Sequence, residues 1–177
     1  MKNFKYILTL LFFTLFSSTA YSQSTIAVLD VVKLLKESKA AVSMKDQLNA
    51  VAKKYTDEDQ KKQKEIQKQE EELLRQKATL TPEAFSDRKN TFEKKVIEFN
   101  KDTQTKRKNI TEARKTAIEE IEKEVEIILK KIIETDQITA VIKKTSVVLS
   151  EDSIDITQKV IDELNTKLSS VKVNVKP

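Results

Sequence analysis

The chain has 177 residues, no cysteine, no histidine and no glycine, and a formal charge of +5 from 33 basic and 28 acidic side chains. These absences exclude a disulfide framework, a Gly-rich phosphate loop, and any nucleophile pair or metal site built on histidine or cysteine. Dense but nearly balanced charge describes a solvated helical surface better than a nucleic-acid groove.

The first segment reads as a signal peptide over residues 1–22. Lys2 and Lys5 form a basic start, Tyr6 to Phe16 an apolar stretch too short to span a bilayer comfortably, and Ala20 and Ser22 a cleavage spacing. Cleavage is expected after Ser22 or after Ala20. The short apolar core and the polar flank Ser22-Gln23-Ser24 argue against a membrane anchor, and the lack of cysteine against a lipid anchor. Loss of Lys2 and Lys5 lowers the formal charge from +5 to +3.

Thr25-Ile26-Ala27-Val28-Leu29 is a short run rich in β-branched residues, read as one buried strand. Asp30 then caps a helix with Val31, Leu34 and Leu35 facing inward, expected to continue through Lys39 to Ala78. Residues 39 to 135 hold a single interruption, the Thr81-Pro82 step. Proline disfavours a helical residue before it but fits a helix's first turn, so the segment reads as two helices of about 40 and about 50 residues. At ~1.5 Å per residue each extends roughly 60–75 Å. Folded back antiparallel, they form a hairpin over residues 39–130 with its tip near residues 79–83.

The outgoing helix begins apolar, with Ala40, Ala41, Met44, Leu48, Val51, Ala52 and Tyr55. It thins beyond Tyr55 to Ile66, Leu73, Leu74 and Leu80. So polar a helix gains too little burial alone and needs a partner. The return helix supplies a broken heptad seam: Phe85, Phe92, Val96, Phe99, Thr103, Ile110, Ala113 and Ala117, with Lys106 where an apolar residue is due. The spacing then shifts by one through Ile121, Val125, Ile128 and Ile132, a four-residue insertion that locally unwinds a left-handed supercoil. The seam is weakest from Lys101 to Asn109, so the hairpin is expected to be firm at its base and looser further out.

Ile138-Thr139-Ala140-Val141-Ile142 and Ser146-Val147-Val148-Leu149 have the composition and spacing of a β-hairpin. Asp155-Ile156-Thr157 opens a short helix with Ile156, Val160, Ile161, Leu164 and Leu168 as its apolar face. The tail Val171-Lys172-Val173-Asn174-Val175 alternates and reads either as an edge strand or as a frayed end. Three short strands cannot close a sheet or bury both faces, so residues 23–38 and 131–177 are expected to form a β body shared between several subunits. Ile26, Val28, Ile138, Ala140, Ile142, Val147 and Leu149 are the candidate assembly residues. The fold class is therefore mostly α with a small β body.

No catalytic constellation, cofactor site or metal site is read from the sequence, and the protein is expected not to be an enzyme. Glu70-Glu71-Glu72 point in different directions on a helix and read as a solvated face. Residues 75–95 carry Arg75, Lys77, Arg88, Lys89, Lys94 and Lys95 against Glu83, Asp87 and Glu93. This local +3 equals the net charge of the mature chain and sits at the far end of the arm. It serves either ordinary solubility or steering toward an anionic partner, such as an acidic chain or a lipid headgroup surface. Heptad spacing assigns Phe85, Phe92 and Phe99 to the seam; Phe85 and Tyr55 are kept as candidate contacts for a bound chain.

Three blocks stand out in order: Ile26-Ala27-Val28-Leu29-Asp30 with Glu37-Ser38-Lys39-Ala40, then Ala78-Thr79-Leu80-Thr81-Pro82-Glu83 at the arm tip, then a closing block. That last block runs from Ile138 through Val147-Val148-Leu149, Asp155-Ile156-Thr157 and Val160-Ile161 to Leu164-Asn165. In these blocks the sequence resembles the Skp/OmpH family of periplasmic chaperones for outer-membrane proteins. The family usually has a glycine before its second strand; here Glu134-Thr135-Asp136-Gln137 fills the junction, and Asp136 is expected to take its place. The resemblance implies a periplasmic homotrimer with a β-barrel-like body and three helical tentacles around a cavity. It also implies an ATP-independent holdase for unfolded outer-membrane proteins. The competing reading is a structural or adaptor coiled coil of the envelope; a third is a peripheral protein that binds anionic membrane by its tips.

Overall fold

The structure, a computed structural model, describes residues 25–176; the signal-peptide reading lies outside them. Strand β1 is Thr25–Leu29 and helix α1 is Val31–Glu37. Asp30 caps α1, its carboxylate accepting from the Lys33 amide at 2.8 Å. The expected continuous helix is interrupted at Ser38, which is fully buried and extended, with ψ 142°. Its hydroxyl accepts from the Ala41 amide at 3.4 Å, while the Lys39 amide donates to the Asn165 side chain at 2.7 Å. A new helix therefore starts here, because its first free amides have side-chain acceptors.

Helix α2 is Lys39–Gln76 and α3 is Pro82–Thr135. Thr81 is extended, its hydroxyl accepts from the Ala84 amide, and Pro82 occupies the first turn of α3, as the Thr-Pro step demands. The lengths of 38 and 54 residues correspond to about 57 and about 81 Å. At the far end of α3 the left-handed residue is Gln137, with φ 54°, and not Asp136, which stays at φ −95°. Asp136 instead completes the helix with its amide on the Ile132 carbonyl and binds Lys159 at 2.5 Å.

Strand β2, Ile138–Lys143, pairs with β1 in parallel, Ile26 beside Ala140 and Val28 beside Ile142. A parallel pair needs a long crossover, and the whole helical arm is that crossover. The expected hairpin is absent: Lys144–Ser146 form a 3₁₀ turn, and Val147 to Leu149 join no strand. The other side of β1 is taken by residues 155–157, where Ile156 donates to the Val28 carbonyl and the Asp30 amide donates to the Thr157 hydroxyl. Residues 147–149 thus find no partner strand among the described residues.

Helix α4, Thr157–Lys167, presents Val160, Ile161 and Leu164 to a core shared with Ala27, Leu29, Leu34, Met44, Ile121, Ile128 and Ile132. The tail is neither a strand nor frayed: Val171 is buried in that same core and Val173 packs against it.

Candidate functional site

The arm divides by burial. From Ala40 to Leu48 on α2, and at Ala113, Ala117, Ile121, Ile128 and Ile132 on α3, the inward residues are fully covered, with Val125 half-buried among them. Outward from Leu48 and Ala113 every inward residue is only half-buried, including Tyr55, Ile66, Leu73, Phe85, Phe92, Val96 and Phe99. The heptad reading therefore holds along the length of α3, with steadily less burial behind it.

At the boundary sits Lys106, where the apolar pattern skips. Its side chain is only 12% exposed, and its ammonium lies 2.9 Å from Asp59, 3.2 Å from Glu58 and 3.3 Å from Asp102. Lys62 completes the layer at 2.7 Å from Asp102, and the Thr103 hydroxyl donates to Asp59. The ammonium also stands 5.2 Å from the centre of the Tyr55 ring, a cation–π distance. Burial works against the Lys106 charge, but the hydrogen bonds it donates to Asp59, Glu58 and Asp102 outweigh it and hold its pKa above the usual lysine range. The Lys62 hydrogen bond holds Asp102 below the usual carboxylate range. Such a layer fixes which residues of α2 and α3 face each other, since any slip strands charges. Tyr55 thus lies under Lys106 as part of this layer.

At the tip, Arg88 binds the Gln76 side chain and Lys95 donates to Gln69 at 3.1 Å. Both line an open groove of about 450 Å³ with Leu73 and Phe92. Arg75 pairs with Glu71 and Lys89 with Glu93, each at 3.5 Å within its own helix. The ammonium groups of Lys77 and Lys94 make no hydrogen bond or ion pair among the described residues. The structure thus brings Arg88 and Lys95 together along one groove and leaves the other four basic residues out of its lining. Phe85 is half-buried on the seam.

In the body, the candidate assembly residues split. Val28 and Ile138 are consumed by the chain's own core, and Val147 is half-buried. Ile26, Ala140, Ile142 and Leu149 face outward. Val148, which sequence reasoning named only within its strand run, is fully exposed, and Leu149 is 90% exposed. Sequence reasoning also missed an apolar cleft of about 290 Å³ lined by Leu35, Val125, Leu129 and Val141, with Glu122, Glu126 and Lys143 at its edge. Its residues come from four elements, so only the fold assembles it.

Asp155 ties the body loop together. It accepts from Lys144 at 2.7 Å and from the Thr157 amide at 2.9 Å. Partial burial opposes its charge, but these hydrogen bonds prevail and bring its pKa down to about 2.

The family described as "Outer membrane protein (OmpH-like)" matches residues 25–164. The fold is also that of a Caulobacter crescentus CB15 crystal structure, a protein described as an OmpH-like outer membrane chaperone. The two share 13% identity with a TM-score of 0.79, over 88% of this chain and 92% of that one. No curated protein matches the sequence. The match spans the strand, both arm helices and α4 up to Leu164, and on it the chain belongs to the OmpH-like outer membrane protein family.

Proposed function

We propose that the protein is an ATP-independent holdase of the periplasm, exported by its first 22 residues, which captures unfolded outer-membrane β-barrel proteins between helical arms. The observation that carries this reading is the outer arm. More than half of α2 projects beyond the fully buried core on a half-buried seam, too polar to grip one folded partner and long enough to surround a chain. Contacts from such a surface are weak and distributed, which suits clients of many sizes and avoids trapping them.

Assembly as a homotrimer goes with this reading, with residues 23–38 and 131–177 as the shared body and residues 39–130 as the arm. Exposed Val148 and Leu149 support it, because a lone chain leaves both in water, and the apolar cleft is a second unfilled apolar surface. The basic tip, Arg75, Lys77, Arg88, Lys89, Lys94 and Lys95, would speed encounter with acidic clients or hold the complex near anionic lipid.

Native mass spectrometry of the mature protein tests this, alone and after dilution of a urea-unfolded outer-membrane barrel protein into it. A trimer that gains one client is the expected result. A trimer that ignores the unfolded barrel replaces the holdase with the adaptor reading, and a monomer removes the shared body.

A further inference from the structure

The tail beyond α4 lies outside the family match, which ends at Leu164, yet it is held closely. Gln47 on α2 donates from its amide nitrogen to the Val171 carbonyl at 2.7 Å and accepts from the Val173 amide at 3.1 Å. These two bonds flank Lys172 as a parallel sheet neighbour would, one main-chain acceptor and one main-chain donor two residues apart. Ser43 fixes the orientation of Gln47 by accepting from the same nitrogen at 3.1 Å. Further along, Asn109 on α3 donates to the Lys176 carbonyl at 3.2 Å.

The seat reads the tail by pattern rather than by sequence. Val171 is 2% exposed and Val173 and Val175 are partly covered, whereas Lys172, Asn174 and Lys176 face outward. The bonds from Gln47 and from Asn109 to residues 171, 173 and 176 go to the main chain. The outward side is not filled: a space of about 450 Å³ separates Lys172, Asn174 and Lys176 from Ala113, Thr116 and their neighbours on α3. An extended chain with apolar side chains at every second position fits, whatever its source.

We infer that this groove at the arm base is a binding site for extended polypeptide with alternating apolar side chains, and that the chain's own tail occupies it as an internal competitor. Unfolded β-barrel strands have this alternation, and naming them as the natural occupant rests on the holdase reading. The tail then sets a threshold, since a client segment must displace it before reaching the groove.

The test uses the full chain and a fluorescent peptide of residues 169–177, with a control peptide in which the three valines are adjacent. Releasing the tail by Val171→Asp with Val173→Asp should tighten binding of the alternating peptide at least tenfold over the unaltered protein. Adding Gln47→Leu should reverse that gain. Equal binding by released and unaltered protein, indifference to Gln47→Leu, or equal binding of the control peptide would each overturn the site. If the released variant does not fold, amide exchange on the unaltered protein decides: saturating peptide should speed exchange at residues 171–175, and unchanged exchange refutes displacement. No barrel protein enters these measurements, so a failed holdase assay leaves them standing and a failed peptide assay leaves the holdase reading standing.

Discussion

The base and the outer half of the arm are one pair of helices under two regimes. Near the base, Ala113, Ala117, Ile121, Ile128 and Ile132 are fully buried, because α1, α4, the strands and the tail all cover the hairpin there. Beyond Lys106 the same two helices have only each other, and a two-helix seam leaves every inward side chain half in water. Order at the base comes from burial; order in the outer arm comes from helix propensity, one polar layer and a thin seam. The holdase reading calls for such a gradient, since uniform burial would make the arm rigid.

Truncation breaks the comparison most sharply. Ile128→Ala at the base removes a fully buried side chain and should cost about 2–5 kcal/mol, read as a lowered urea midpoint. The equivalent Val96→Ala in the outer arm should cost below about 1 kcal/mol, because Val96 is only partly covered. Equal losses would mean that the arm folds as one uniform unit. Lys106→Ala comes next. It leaves Asp59, Glu58 and Asp102 facing one another without their shared cation and should cost about 1–2 kcal/mol, discounted for the partial exposure of the acids. Lys106→Leu strands the same three acids beside an apolar side chain and should lose the alignment. Spin labels on facing positions of α2 and α3 should show one distance in the unaltered protein and a broadened set in Lys106→Leu.

Much of this gradient was legible before any coordinates. The Thr81-Pro82 break, the Asp30 cap, the stutter between Ala117 and Val125 and the skipped position at Lys106 are local patterns, and each lands where the periodicity put it. What misled were positions decided by distant groups. Ser38 ends a helix because Asn165 waits on α4 to take the Lys39 amide, a partner 126 residues away. Val147 to Leu149 have every property of a strand and still form none, because β1 already has neighbours on both sides. Gln137 takes the left-handed turn while Asp136 engages Lys159, again a tertiary contact. The tail's alternation was visible, but not that Gln47 would read it. The basic tip was legible as composition alone; that Gln69, Leu73 and Gln76 of α2 would face Arg88, Phe92 and Lys95 of α3 across a groove needed the register of the two helices.

A milder perturbation separates body from arm by pH. The Asp155 pKa lies at about 2, below the ordinary 3.8, so the folded protein binds this proton less readily than the unfolded chain. Its contribution is full above about pH 4 and is lost as pH falls through about 2. With Lys144 half-exposed, the loss should be about 1 kcal/mol. Stability followed in the body should fall across this window, and Asp155→Asn should flatten that part of the profile. An unchanged profile in Asp155→Asn would remove Asp155 as the tie between the body loop and α4.

The smallest effect on stability should accompany a large effect on rate. Arg88, Lys89, Lys94 and Lys95 sit where the arm is least buried, and the one ion pair they make among the described residues, Lys89 with Glu93, is exposed and worth at most about 0.5 kcal/mol. Reversing all four to Glu should therefore leave the urea midpoint nearly unchanged. If the tip steers acidic clients, the same variant should capture them about tenfold more slowly at low salt, with the difference closing as the Debye length shortens. Stopped-flow mixing with a labelled unfolded barrel protein at two salt concentrations reads this directly. Equal capture rates at low salt would reduce the basic tip to a solubility feature and leave the half-buried seam to hold clients without electrostatic help.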